Sequence, residues 1–263
     1  MFRAMIEPGI RCLLAPNPSA MTFRGTNTYI LGRGEVAVLD PGPNDPVHLQ
    51  AILDATKGET ITHILMSHDH HDHSALVPGL KAATGAPLLA YHAPASALVP
   101  DVALQDGERI GGETWSVEVI HTPGHTDDHL CFGIGDLCLT GDHVMGWASS
   151  AIIPPRGDLK AYIASLDKLA ARPWRRFLSS HGDPIDAPAQ RLEALKTSRQ
   201  MREASILSLL ERAPMTLDDL VAQLYRRLSP GLAPAARLNV QAHIIALSTD
   251  GKVVQQDDRF RRV

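Results

Sequence analysis

The sequence predicts a mixed α/β body followed by a small C-terminal domain of helices and a hairpin. Three observations carry that expectation: short apolar runs separated by helical patterns, a switch to nearly continuous helical periodicity near residue 190, and a two-strand ending after Asp250-Gly251.

The runs at 29–31, 36–39, 61–66, 87–91, 115–120, 129–134, 137–139 and 177–178 read as buried strands, being short, apolar and separated by other patterns. A helix is expected from Pro46 to about Lys57. The clearest helix is 158–171, where Leu159, Tyr162, Ile163, Leu166, Leu169 and Ala170 recur at helical spacing behind Asp158, a residue suited to cap the first turn. Beyond residue 190 the periodicity predicts helices over 192–212, 217–225 and 234–248. Strands over 252–255 and 260–263 then flank the polar pair Asp257-Asp258. Three helices and a hairpin are the parts of a winged helix, so the expected division is 1–195 for the larger domain and 196–263 for the smaller.

With 263 residues, 44% hydrophobic and 21% charged, the chain has the composition of an ordinary globular protein with room for a sizeable core. No run approaches the roughly 18 to 20 apolar residues that span a bilayer. The opening segment is broken by Glu7, Pro8, Gly9 and Arg11, unlike a secretory signal, so a cytoplasmic location without a membrane partner is expected. Cys12, Cys131 and Cys138 are three in number, lack Cys-x-x-Cys spacing and read as small core residues. The net charge of −4 divides unevenly, −7 over residues 1–198 and +3 over 199–263, which is too weak a positive tail to demand a polyanion.

The densest chemistry is SHDHHDH at 67–73, directly after the strand ITHILM. In extended backbone, residues two apart share a side, so His68 and His70 can converge on one metal. A tight turn then carries Asp72 and His73 toward a second, about 3.5 to 4 Å away in two-metal sites. His125, Asp142 and His181 each follow another apolar segment, where open α/β sheets place ligand-binding groups. Asp40, after VAVL, occupies a similar place. It either orients a ligand histidine from behind or shapes the Asp40-Pro41-Gly42 turn.

The order of HxHxDH at 68–73, Thr-Pro-Gly-His at 122–125, Thr-Gly-Asp at 140–142 and Ser-His-Gly at 180–182 resembles the metallo-β-lactamase superfamily. The resemblance implies an αββα sandwich in which His68, His70 and His125 hold one metal, Asp72, His73 and His181 the other, and Asp142 bridges both. Within that superfamily the chain is most similar to the β-lactamase-like protein 2 group, which adds a C-terminal winged helix; GHTDDH at 124–129, GTNTYIL around Asn27 and the tail carry the likeness. Ser180 departs from the pattern, standing where relatives usually have glycine. His71 occupies a variable position of the motif. His143 and His129 are candidates for substrate contact, with packing favoured for both.

Two divalent ions sharing Asp142 would activate a water as the nucleophile, with Asp72 orienting it or accepting a proton. Zinc suits histidine and carboxylate ligands best, and iron and manganese are the alternatives. The expected substrate is a small ester, thioester or lactone, with the tail walling the pocket or pairing subunits into a homodimer. The alternative is an endoribonuclease for single-stranded RNA, with Arg226, Arg227, Arg237, Lys252, Arg259, Arg261 and Arg262 as phosphate contacts. A nucleic-acid-binding regulator and a β-lactamase are the remaining readings.

Overall fold

The computed structural model describes residues 2–96, 98–226 and 232–263, with side chains from Met5 onward. The chain divides into two compact units. The first comprises residues 1–122, 128–149 and 173–188, and the second 123–127, 150–172 and 189–263.

The first unit is built on two sheets. One has seven strands in chain order: β1 (Phe2–Glu7), β2 (Ile10–Leu14), β3 (Asn27–Arg33), β4 (Glu35–Leu39), β5 (Thr60–Leu65), β6 (Leu88–Ala90) and β7 (Val102–Ala103). The first four pair antiparallel, and β4 onward pair parallel. The other sheet runs β12 (Arg176–Ser179), β11 (Leu137–Gly141), β10 (Leu130–Ile134), β9 (Ser116–His121), β8 (Arg109–Gly111).

Period-two alternation explains how the sheets bury both faces. Tyr29, Leu31, Ala37, Leu39 and Leu65 point into one core with Val117, Val119, Phe132, Leu139 and Leu178 of the other sheet. Their alternates Ile30, Val36, Val38 and Ile64 point the opposite way, onto Ile52 of α1 (Pro46–Ala55) and Val77 and Leu80 of α3 (Val77–Thr84). The β1–β2 hairpin was not expected. Its turn is the same Pro8-Gly9 pair that breaks the apolar opening, with Gly9 at φ +78°.

In the second unit, α4 (Leu159–Ala170) starts where expected, Asp158 accepting the amide of Ala161. The expected boundary at 195 is corrected: α5 runs unbroken from Pro188 to Arg212. A composition change marks it, but the helix continues because Leu192 and Leu195 are buried near its start and Ile206 and Leu210 near its end. α6 (Leu217–Leu224) opens with a reciprocal Thr216 and Asp219 capping box. It packs with α7 (Ala233–Thr249) and the hairpin β13 (Val253–Gln256) and β14 (Arg259–Arg262) around Leu220, Val240, Leu247 and Val253. Of the basic residues expected to meet phosphate, Arg227 lies outside the described residues. No helix among the described residues is long and apolar enough to cross a membrane.

His243 on α7 is fully buried, and neither ring nitrogen has a hydrogen-bond partner. Burial, reinforced by Arg199 and Arg202, lowers its pKa to about 3; Glu203, at 4.0 Å, does not offset this. The unfolded chain therefore takes up a proton below about pH 6.5 that the folded chain refuses, so stability falls as pH falls through that window. The expected loss is about 2 kcal/mol by pH 5. Urea unfolding of the wild type and His243→Leu at pH 7.5 and pH 5 checks it: the variant should lose less than the wild type.

Candidate metal centre

Five candidates of the first unit lie just beyond the carboxyl end of a strand. Asp40 follows β4, His68 and His70 follow β5, Asp142 follows β11, and His181 follows β12. The β4–β5 and β11–β12 pairs are parallel, so these ends emerge on the same side of their respective sheets. After His70 the chain enters the single turn α2 (His71–Ser74), which turns Asp72 and His73 inward while leaving His71 exposed.

Two sets of side chains converge. One potential ligand atom from each of Asp72, His73 and His181 lies within 4.8 Å of the others, and the same holds for His68, His70 and Asp142. Asp142 also faces the other set, its Oδ1 being 3.4 Å from Nε2 of His181 and 3.6 Å from Nε2 of His73. Asp72 Oδ2 approaches the same nitrogens at 3.2 and 3.4 Å. His125 belongs to the second unit, where it is buried with Nδ1 held 2.6 Å from the Ala151 carbonyl, so Nε2 is the nitrogen it would present to an ion.

The outer nitrogens set the tautomers. Nδ1 of His181 meets the Gly25 carbonyl at 3.1 Å and Nδ1 of His73 meets Asp40 at 3.0 Å, which makes Nδ1 the donor and turns the lone pair of Nε2 inward. Asp40 is fully buried with its backbone at φ +51°, a conformation uncommon outside glycine. Its carboxylate accepts from the Ser67 amide at 2.8 Å, the Ser67 hydroxyl at 2.7 Å and the Ser180 hydroxyl at 2.9 Å, besides His73. Since the Ser67 hydroxyl donates to Asp40, it accepts from Nδ1 of His68, 2.9 Å away, and sets that ring too. Ser180, the departure from the usual glycine, is thus a further donor to the carboxylate behind His73.

Asp142 is aimed by its neighbours. Nε2 of His129 accepts its amide at 3.2 Å, and Nδ1 of His129 pairs with the Thr122 hydroxyl. A Cβ on Gly141 would lie 2.6 Å from His129 and 2.9 Å from Ser67, so Thr-Gly-Asp needs its glycine for close packing. His129 and His143 are each fully buried, and His129 has its two nitrogens committed inside, which is the packing role that the sequence favoured for both. Ser67, Gly25 and Ser180 stand inside the quoted motifs, and Ser180 as a departure, but sequence reasoning did not assign them these contacts, which join residues far apart in the chain.

Electrostatics shows the fit for cations. Burial opposes charge on His70, Asp72, His73, Asp142 and His181. For His181, Asp142 and Asp72 overcome burial and raise the pKa to about 9; for His73 the same carboxylates and Asp40 also raise it. Asp142 and Asp72 are correspondingly lowered, despite burial, by the two imidazoles. His70 shifts the other way, lowered by burial. Nε2 of His73 and of His181 has no hydrogen-bond partner, and Nε2 of His68 stands 3.0 Å from Nδ1 of His70. Lone pairs so close repel unless a proton or cation lies between them. Imidazoles and carboxylates suit a borderline divalent ion.

Gly25 ties this centre to the preceding loop. At φ +126°, a Cβ there would lie 2.1 Å from the Ala15 carbonyl oxygen, while the Gly25 carbonyl receives His181. Gly25→Ala is expected to cost roughly 2–4 kcal/mol through backbone strain and overpacking. Thermal unfolding with and without added metal checks it; an unchanged midpoint would refute the close-packing argument.

A two-sheet α/β sandwich with clustered histidines and aspartates at its strand ends defines the class. Residues 21–181 match the metallo-beta-lactamase superfamily model and residues 216–262 match the beta-lactamase associated winged helix domain. The chain belongs to the metallo-beta-lactamase superfamily and is a hydrolase of that kind, with a winged helix at its C-terminus. It is 32% identical over 265 residues to the beta-lactamase-like protein 2 homolog of Drosophila melanogaster, covering 92% of this chain and 88% of that one. It is 31% identical to an atrochrysone carboxyl ACP thioesterase of Pseudocercospora fijiensis, covering 84% of this chain and 68% of the relative. A metallo-beta-lactamase family protein of Thermus thermophilus shares the fold with a TM-score of 0.83 at 24% identity, over 98% of this chain and 100% of that one.

Proposed function

We propose that the protein is a dinuclear metal-dependent hydrolase of small esters, thioesters or lactones. The observation that carries this reading is Asp142, whose carboxylate belongs to one ligand set and faces the two imidazoles of the other. In this reading His68, His70 and His125 hold one ion, Asp72, His73 and His181 the other, and Asp142 both. When bound, a pair of divalent ions, zinc by preference with iron or manganese as alternatives, lowers the pKa of a water and polarises the scissile carbonyl.

The residues divide the remaining work. Asp142 supplies negative charge buried between the sets and keeps it in place through the His129 contact to its amide. Asp72, whose side chain is 31% exposed, is the carboxylate that reaches solvent and can orient an incoming water and accept its proton. Asp40 holds His73, and through Ser67 also His68, with the donor nitrogen outward.

Carbonyl substrates are favoured over RNA by the charges of the tail. Arg237 pairs with Asp218, Arg259 faces Asp219, Arg262 pairs with Glu211 and Lys252 with Asp250, so four of the seven expected phosphate contacts already have an acidic neighbour. The relative named as a thioesterase supports the same choice. The test supplies metal-replete protein with p-nitrophenyl acetate, an acetyl thioester, a γ-lactone and labelled single-stranded RNA, with bound metal measured. Turnover of a carbonyl substrate that chelation abolishes and metal restores is expected. RNA cleavage alone would replace this reading with the endoribonuclease.

A further inference from the structure

Beside the His181 loop, the first unit exposes an aromatic surface that the proposed chemistry does not use. Phe23 and Trp147 stack with ring centroids 5.0 Å apart and planes inclined by 16°. They remain 41% and 37% exposed, whereas Trp115 and Trp174 are buried. Two large aromatic rings stacked on each other yet open to water are costly to leave uncovered.

The arrangement is built. Phe23 has φ +55°, uncommon for a bulky residue and a form of strain that the surroundings must hold in place. What holds it is a loop closed on itself: Asn17 accepts the Thr26 amide at 2.9 Å and donates to the Thr26 hydroxyl at 3.0 Å, and Gly25 donates to the Thr22 carbonyl. On the other side, Trp147 lies against Gly182, where a Cβ would come within 2.9 Å of the indole. Gly182 adjoins His181, and Asn27 donates from its amide nitrogen to both the Ser179 and Gly182 carbonyls, so Trp147 packs against the same braced loop that carries the imidazole.

The platform is electrically neutral. Arg24 lies 5.0 Å above the Phe23 ring, but its guanidinium is paired with Asp183 at 2.5 Å. A nucleic acid needs basic groups to track its phosphates as well as rings to stack its bases. Here the rings are present and the cation is already matched. A flat apolar group fits; a polyanion does not.

We propose that Phe23 and Trp147 form a platform for a planar, aromatic acyl group of the substrate. This rests on the reading of the protein as an ester or thioester hydrolase and narrows its substrate class. The Phe23 ring carries Trp147 on one side and Arg24 over it, so the acyl group lies against the exposed part of the indole that Phe23 backs, with its carbonyl presented to the centre that His181 helps to form. Specificity for flat over small acyl groups follows from ring stacking.

The test uses full-length, metal-replete protein and 2-naphthoate as a product-like probe. Calorimetric titration should give an affinity about tenfold above that of Trp147→Leu, equivalent to about 1.4 kcal/mol, and binding should quench the tryptophan fluorescence of the wild type. Leucine keeps apolar volume without a ring face; Trp147→Phe should recover most of the affinity, and Phe23→Leu should weaken it. Thermal midpoints verify that each variant is folded. In turnover, the preference for the naphthoyl over the acetyl thioester of N-acetylcysteamine should fall about tenfold in Trp147→Leu, through KM.

Equal naphthoate affinity in wild type and folded Trp147→Leu would overturn the platform, as would an unaltered naphthoyl preference with hydrolysis intact. Trp147-dependent naphthoate binding without turnover of either thioester would support the platform while removing the hydrolase reading. Quenching by a single-stranded oligoadenylate but not by naphthoate would overturn the proposal in favour of nucleic acid.

Discussion

On the dinuclear reading proposed, Asp142→Asn is expected to abolish measurable hydrolysis and to lower affinity for at least one ion by about a hundredfold or more. The substitution keeps the size of the side chain and removes one buried negative charge from a site where His73 and His181 stand 3.6 and 3.4 Å from it. Removing one partner of a buried charge cluster typically costs about 3–5 kcal/mol, because the remaining charge is left without compensation in a poor solvent. Metal stoichiometry by elemental analysis, together with turnover at saturating metal, separates loss of the ion from loss of chemistry. A variant that binds two ions and hydrolyses at the wild-type rate would remove Asp142 from the mechanism.

Asp40→Ala should be the second largest change, and it should act on folding and on metal together. Its carboxylate receives four donors: the Ser67 amide, the Ser67 hydroxyl, the Ser180 hydroxyl and Nδ1 of His73. Alanine leaves all four buried without their acceptor. Each unsatisfied group costs about 1–3 kcal/mol unless a neighbour or water replaces the partner. A net loss of roughly 3–5 kcal/mol is expected, lowering the thermal midpoint by about 10 °C. With His73 and His68 no longer held in one tautomer, metal affinity should fall about 10- to 100-fold.

Ser180→Gly, which restores the residue that relatives usually carry, removes one of these donors together with its acceptor site. It should cost only about 1 kcal/mol and leave metal stoichiometry unchanged. Calorimetric unfolding of the two variants side by side checks the order. If Ser180→Gly were as damaging as Asp40→Ala, the carboxylate would not be the hub that its hydrogen bonds indicate.

What the sequence by itself determined is local in origin. Asp158 capped its helix as expected, because a cap needs only a side chain and an amide three residues on. Strands β3, β4, β5, β9, β10 and β11 lay where apolar runs predicted them, since the side chains that face a core must be apolar even where, as at Glu118 of β9, the alternate ones are partly open. The HxHxDH run set its candidate ligands within a few residues, and strand ends pointed to Asp142 and His181 as further candidates. The tertiary structure alone decided the rest, because those contacts join residues far apart in sequence. Asp40 meets Ser180 across 140 positions, a pairing no spacing rule reports. His129 remained a candidate for substrate contact until Thr122 and the amide of Asp142 occupied both of its nitrogens. Continuity of α5 through residue 195 depended on what each end of the helix packs against, whereas composition registered only the change of character. Phe23 and Trp147 were likewise two unremarked aromatics until the fold stacked them beside His181, since a ring's partner is set by where loops return and not by the residues flanking it.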